Sequence, residues 1–183
     1  MQFLRQHIVV VLLLCLSAAA RCAQHGVERK VSESLKKMFG DSATITEKQI
    51  RLTAEEKAKL AARSKQPWAS DTISVYTCAI GRQVVGYGII DNVKGKAQFI
   101  TYIVGILPRD EVQDVDVLAY REPYGGEIAY ESFRKEFRRK TVHGRLQPGM
   151  DIKNISGATI SVHAITDGVK KILATFGLIR DRL

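Results

Sequence analysis

The chain predicts an α+β domain, an antiparallel sheet meander with helices packed on it. Three observations carry this. Residues 72–120 hold four β-rich runs separated by turn residues. Helical periodicity appears only before and after that block. Strands grouped first and helices grouped after them argue against an alternating parallel architecture. The 183 residues are 45% apolar, enough for a real core.

The elements follow in order. Val31, Leu35, Met38 and Phe39 recur at helical spacing, and Gly40 stops the pattern. Thr53-Ala54-Glu55-Glu56 is a capping box, opening a polar helix to about Ala62. Both helices read as peripheral. Residues 63–70, with Pro67, read as a linker. Thr72 to Ile80 and Val84 to Ile90 form a hairpin about Gly81-Arg82, followed by a turn over Asp91 to Lys96. Gly86 and Gly88 inside the second strand imply a bulge, or close approach of another backbone or a ligand. Gln98 to Leu107 reads as a buried strand. Val112 to Tyr120 alternates Val115, Val117 and Ala119 against Asp114 and Asp116, as a half-exposed strand does. Pro123, Gly125 and Gly126 break regular structure. A helix over Glu127 to Arg139 carries Ala129, Phe133 and Phe137 on one face. A final helix runs from about Ile160 to Phe176 and ends at Gly177.

The first twenty residues stand apart. Arg5, a nine-residue apolar run (IVVVLLLCL) and Ser-Ala-Ala-Ala follow the order of a secretory signal. The run is shorter than the ~20 residues of a spanning helix. Cleavage after Ala20, an uncleaved anchor and a lipoprotein built on Cys22 are the three readings, and all export the domain to the periplasm or the outer face of the cytoplasmic membrane. The domain division is 1–20 signal or anchor, 21–70 lead-in and linker, and 71–183 the main domain. Net charge is +9, and removal of residues 1–20 takes away only Arg5 and leaves +8. An exported basic surface points to an acidic partner or an anionic membrane rather than nucleic acid. The densest basic stretch, Arg134 to Lys140, reads as a solvated helix face or as a docking surface. Outside the signal, Cys22 and Cys78 allow one disulfide at most. No clustered His/Cys set suggests a metal, and no Ser-His-Asp set suggests a hydrolase.

Ahead of the last helix stands Asn154-Ile155-Ser156-Gly157-Ala158-Thr159-Ile160-Ser161. The plain reading is a helix start capped by Ser156 or Thr159. The other is an anion site, because a helix N-terminus presents free N–H groups and partial positive charge. His163 stands near enough to touch a ligand there, and Tyr124 is the tyrosine best placed to stack on one.

The wider pattern resembles the FMN-binding domain family, which includes the C subunit of the sodium-translocating NADH:quinone oxidoreductase and the G subunit of the Rnf electron transport complex. The resemblance rests on S-G-A-T-x-S at 156–161, on Lys94-Gly95-Lys96 leading into residues 99–107, on Val115 to Glu122 with Gly125 and Gly126, and on Phe133 and Phe137. It implies an electron-transfer flavoprotein without catalytic residues of its own. FMN would join Thr159 through its phosphate at the start of the last helix, delivered by a flavin transferase that uses FAD. Ser156, Gly157, Ala158 and Ser161 would surround the phosphate, while Glu122, Tyr124, Gly125 and Gly126 would lie against the ring. Asp151 would join Ser156 to Thr159 in transferase recognition. The family commonly has an acid three residues before the serine, where this chain has Lys153, a residue suited to pairing with the phosphate of noncovalent FMN. Electrons would pass to or from a membrane-bound or exported redox partner. The alternatives are a flavin-dependent reductase of a small acceptor, and a cofactor-free binding or assembly module.

Overall fold

The computed structural model describes residues 26–64 and 66–183. The apolar run, the expected cleavage point and Cys22 lie outside the described residues. Five strands form one antiparallel meander in the order β1-β2-β3-β4-β5. They are β1 (Thr44–Arg51), β2 (Thr72–Ile80), β3 (Gln83–Lys94), β4 (Phe99–Ile106) and β5 (Val112–Ala119). Helix α1 (26–39) and α2 (Ala54–Ser64) precede and follow β1, and α3 (Glu131–Arg134) and α4 (Thr159–Ile179) follow the sheet. The α+β meander expected from the sequence is the fold observed.

Strand alternation sorts side chains to two faces. On one face Ile73, Val75, Ile89, Val93, Tyr102 and Val104 pack with α4 and with Leu60 of α2. On the other, Cys78, Ile103 and Leu118 pack with Val31 and Leu35 of α1. So α1 is no peripheral appendage; it covers the second face. This also explains the strand glycines. A Cβ at Gly86 would overlap the Phe39 ring, at Gly88 it would come within 2.5 Å of Leu35, and at Gly105 within 2.6 Å of Met38 Sδ. A bulge does occur between Cys78 and Ala79, but the close approach is by helix side chains, not by a ligand.

Other expectations need correction. Strand β1 falls where the sequence predicts none; its residues are polar and mostly exposed, so no apolar alternation marks them. Strand β3 continues through Lys94 because residues up to Lys94 pair with β4. The 63–70 linker carries buried Trp68, whose Nε1 donates to Thr175 Oγ1 of α4 at 2.9 Å. The expected helix over 127–139 is broken. A 3-10 turn (Gly126–Ala129) ends at Tyr130, which is extended, and α3 and a second 3-10 turn (Lys135–Phe137) follow. Gly177 does not end α4, because buried Ile179 holds the last turn against the core. The capping box is as expected: the Thr53 amide donates to Glu56 at 2.8 Å and the Glu56 amide to Thr53 Oγ1 at 3.2 Å.

The basic stretch 134–140 is largely tied down. Arg134 donates to the Val115 carbonyl at 2.8 Å and pairs with Asp116 at 3.3 Å. Arg138 pairs with Asp114 at 2.9 Å and with Glu131 at 3.2 Å. The acids that alternate along β5 thus receive the arginines of the following segment.

Under α4 lies a buried polar knot. Lys171, with 3% of its side chain exposed, pairs with Asp91 at 2.8 Å. The Tyr102 hydroxyl donates to the same carboxylate at 2.9 Å. Lys171 Nζ also sits 4.5 Å from the centre of the Trp68 ring. Burial, and then the negative Asp91 beside it, push the Tyr102 hydroxyl well above its ordinary pKa. Removing one member of a buried pair leaves an uncompensated charge, at a cost of about 3–5 kcal/mol. Lys171→Met is therefore expected to destabilise the domain by that order. Adding Asp91→Leu should recover part of the loss, with a coupling above about 1 kcal/mol, read by urea unfolding of the four species. Strict additivity would contradict the pairing.

Candidate functional site

Three chain segments meet at one end of the sheet. They are the β3–β4 turn at 95–98, the segment leaving β5 at 120–126, and the start of α4. Between them lies a cavity of about 700 Å³. Lys96 and Ala97 line it from the first segment, Glu122, Pro123 and Tyr124 from the second, and Gly157 to Ser161 from the third.

Glu122 joins the first two segments. Its Oε1 accepts from the Ala97 amide at 2.8 Å and the Gln98 amide at 2.9 Å. Gly95 closes the turn through its amide to the Gln98 carbonyl at 2.9 Å, and a Cβ there would lie 2.5 Å from Glu122 Oε1. The Gln98 and Ala97 amides hold the Glu122 carboxyl below its ordinary 4.5, overcoming the opposing effect of burial, and the Lys96 charge adds to them. The carboxylate therefore stays ionised and faces inward on its own turn.

Tyr120 joins the second and third segments. Its hydroxyl donates to the Tyr124 carbonyl and lies 3.0 Å from Ser161 Oγ. Gly125, at φ 88°, passes beneath this knot, where a Cβ would meet the Tyr120 oxygen at 2.7 Å. Neither Gly125 nor Gly126 lines the cavity; they turn the chain behind its wall. Tyr124, which lines the cavity, is 83% exposed.

The start of α4 bears on the capping reading of the SGAT stretch. Its N-cap residue is Ala158, and no side chain makes a cap hydrogen bond. Capping by Ser156 or Thr159 is therefore not made. Gly157 takes a positive φ of 83° just before the helix. Thr159 and Ile160 are exposed and line the cavity, while Ser161 is buried against Tyr120. A hydroxyl thus stands free beside uncapped helix amides, with the Lys96 cation across the cavity.

The remaining candidates lie elsewhere. Ser156 is exposed but does not line the cavity. Asp151 orders the preceding loop, accepting from the Gln147 amide at 2.7 Å, the Leu146 amide at 3.1 Å and Lys140 Nζ at 3.0 Å. Burial pushes its carboxyl up, yet these partners hold it below its ordinary value. Lys153 pairs with Glu136 at 3.4 Å and does not reach the cavity, and neither does exposed His163. Among the described residues no cluster could hold a metal, and no helix is long and apolar enough to cross a membrane. Sequence reasoning missed Lys96 and Ile160 as lining residues, and missed Tyr120 as the knot behind the wall.

The donor set suits a flavin phosphate. Uncapped amides and Lys96 would receive the phosphate, and Tyr124 with Ile160 offers apolar surface to a planar ring. Residues 95–174 match the FMN-binding domain family. The matched span contains every residue that lines the cavity. The G subunit of the proton-translocating ferredoxin:NAD(+) oxidoreductase complex of Clostridium ljungdahlii is 28% identical over 103 residues, covering 52% of this chain and 56% of that protein. The match therefore spans little more than half of that relative's length.

The Glu122 clamp on the 95–98 turn gives a pH signature. Its folded pKa is depressed, so the bonds are complete above the ordinary carboxylate value and fade as pH falls through the folded value. The amide resonances of Ala97 and Gln98 should titrate together with a midpoint below 4.5. Glu122→Gln should abolish that titration. A midpoint at or above 4.5 would contradict the clamp.

Proposed function

We propose that this protein is an exported electron-transfer flavoprotein that carries FMN covalently on Thr159. The observation that carries the reading is the free Thr159 hydroxyl at the first turn of an uncapped helix, lining a cavity within the FMN-binding domain. In the attachment, Thr159 Oγ bonds to the FMN phosphorus of FAD as the pyrophosphate bond breaks and AMP leaves. The hydroxyl proton passes to solvent, and no electrons are transferred. A flavin transferase supplies the catalysis for this step. Bound FMN supplies one- and two-electron transfer.

The chain's own residues do the rest. Lys96 and the helix amides neutralise the phosphate. Tyr124 and Ile160 give the ring an apolar seat. Glu122 keeps the 95–98 turn in place and, as a carboxylate nearby, disfavours added negative charge on whatever the cavity holds. A covalent link suits an exported protein, since free cofactor would be lost outside the cell. The apolar run of residues 1–20 supports export as a cleaved signal or an anchor. The redox partner lies at the membrane, a reading supported by the similarity to one component of a proton-translocating complex.

Coexpression with a flavin transferase tests the reading. The parent protein should show flavin fluorescence on a denaturing gel. Thr159→Ala should lose it entirely, while Ser156→Ala, outside the cavity, should keep more than a trace. Fluorescence retained in Thr159→Ala would contradict the assignment.

A further inference from the structure

A second cavity, of about 400 Å³, opens at the start of β5. It shares no lining residue with the flavin cavity and lies at the other end of the strand, roughly 25 Å away by strand rise. Four cations line it, Lys37, Arg109, Arg138 and Arg139, against a single carboxylate, Asp114. Arg138 already pairs with Asp114 at 2.9 Å, and Arg109 pairs with Glu111 at 2.8 Å. Lys37 and Arg139 have no side-chain partner among the described residues.

Arg139 is the telling residue. Its φ is 64°, in the left-handed region that favours glycine. Backbone pairing holds it there: its amide donates to the Val112 carbonyl at 2.8 Å, and the Val112 amide to the Lys140 carbonyl at 2.9 Å. Glycine would satisfy this turn better, yet the position carries a long cationic side chain that is exposed and makes no bond in the free protein. Strain retained without a local partner points to a use.

We propose that this hollow binds a multiply charged phosphate group. Guanidinium forks match phosphate oxygens pairwise, and three of the four cations here are arginines. The volume suits a compact ligand rather than an extended chain. The group could belong to a lipid headgroup, which would orient the domain on a membrane, or to a soluble polyphosphate. The site stands apart from the flavin cavity and does not rest on that reading.

The test uses the protein as purified from its host, whether or not it carries flavin, at low ionic strength. Inorganic pyrophosphate is titrated by calorimetry, and phosphatidylcholine vesicles with or without phosphatidate are used in cosedimentation. Saturable pyrophosphate binding identifies a soluble ligand; binding only to phosphatidate vesicles identifies a headgroup. In either case Arg139→Gly and Lys37→Gln should each weaken binding by roughly tenfold or more, and Lys59→Gln should not. Arg139→Gly should also keep or raise the melting temperature, by about 2–4 °C. The proposal is overturned if neither probe binds, if both variants bind like the parent, or if Arg139→Gly melts lower, which would make Arg139 structural.

Discussion

The placement of α4 on the sheet depends on one buried interaction, the Lys171–Asp91 pair with Tyr102 on the same carboxylate. The helix is buried along most of its length, and the burial of its apolar side chains holds it down without by itself fixing its register. A charged pair in a nearly dry interior is different. It tolerates little displacement, because a shift of one residue would leave both charges unpaired. Gly168 lets the helix sit close enough, since a Cβ there would collide with the Tyr102 oxygen. Lys171 lies twelve positions beyond Thr159, or about 18 Å along the helix. Fixing Lys171 against β3 and β4 therefore fixes where Thr159 emerges.

The far end of that helix then completes a site whose other walls come from turns. A turn would ordinarily be the least constrained part of a sheet. Here two long-range tethers remove that freedom. Glu122 holds the 95–98 turn through two amides, and Tyr120 ties the Gly-rich segment to Ser161 of α4. Each tether crosses between segments distant in the chain, so the cavity is shaped before any ligand arrives. Such preorganisation lowers the ordering cost of binding.

Much of this was legible in the sequence, for reasons that differ by residue. The strands from Thr72 onward announce themselves through β-branched runs, and the alternation of β5 set Asp114 and Asp116 on the face opposite Val115, but it did not show that α1 covers that face, where Leu118 is buried and Asp116 accepts from Ser34. Strand β1 left no such mark, because TITEKQIR buries only Ile50 and owes its form to pairing with β2. Pro67 disguised Trp68 as part of a linker, when the indole is a core residue. Gly86 and Gly88 were visible as anomalies, but nothing local could say that Phe39 and Leu35 would fill the space. In the site, Thr159 and Glu122 came from the family resemblance rather than from local pattern, and Tyr124 from its place in the Gly-rich turn. Lys96 was missed, since a lysine in a turn looks solvated until the fold brings it opposite a helix terminus. Asp151 and Lys153 were singled out through the resemblance's transferase motif; in the folded chain Asp151 accepts from the Gln147 amide and Lys153 pairs with Glu136, outside the cavity lining.

The account stands most directly on the chemical state of Thr159. The decisive measurement is the intact mass of the protein from its own host under denaturing conditions, followed by peptide mapping. The account predicts a mass increase of one FMN less one water, confined to the peptide that contains Thr159. A full-length protein of unmodified mass, or the same increase mapped to a peptide that lacks Thr159, would contradict it.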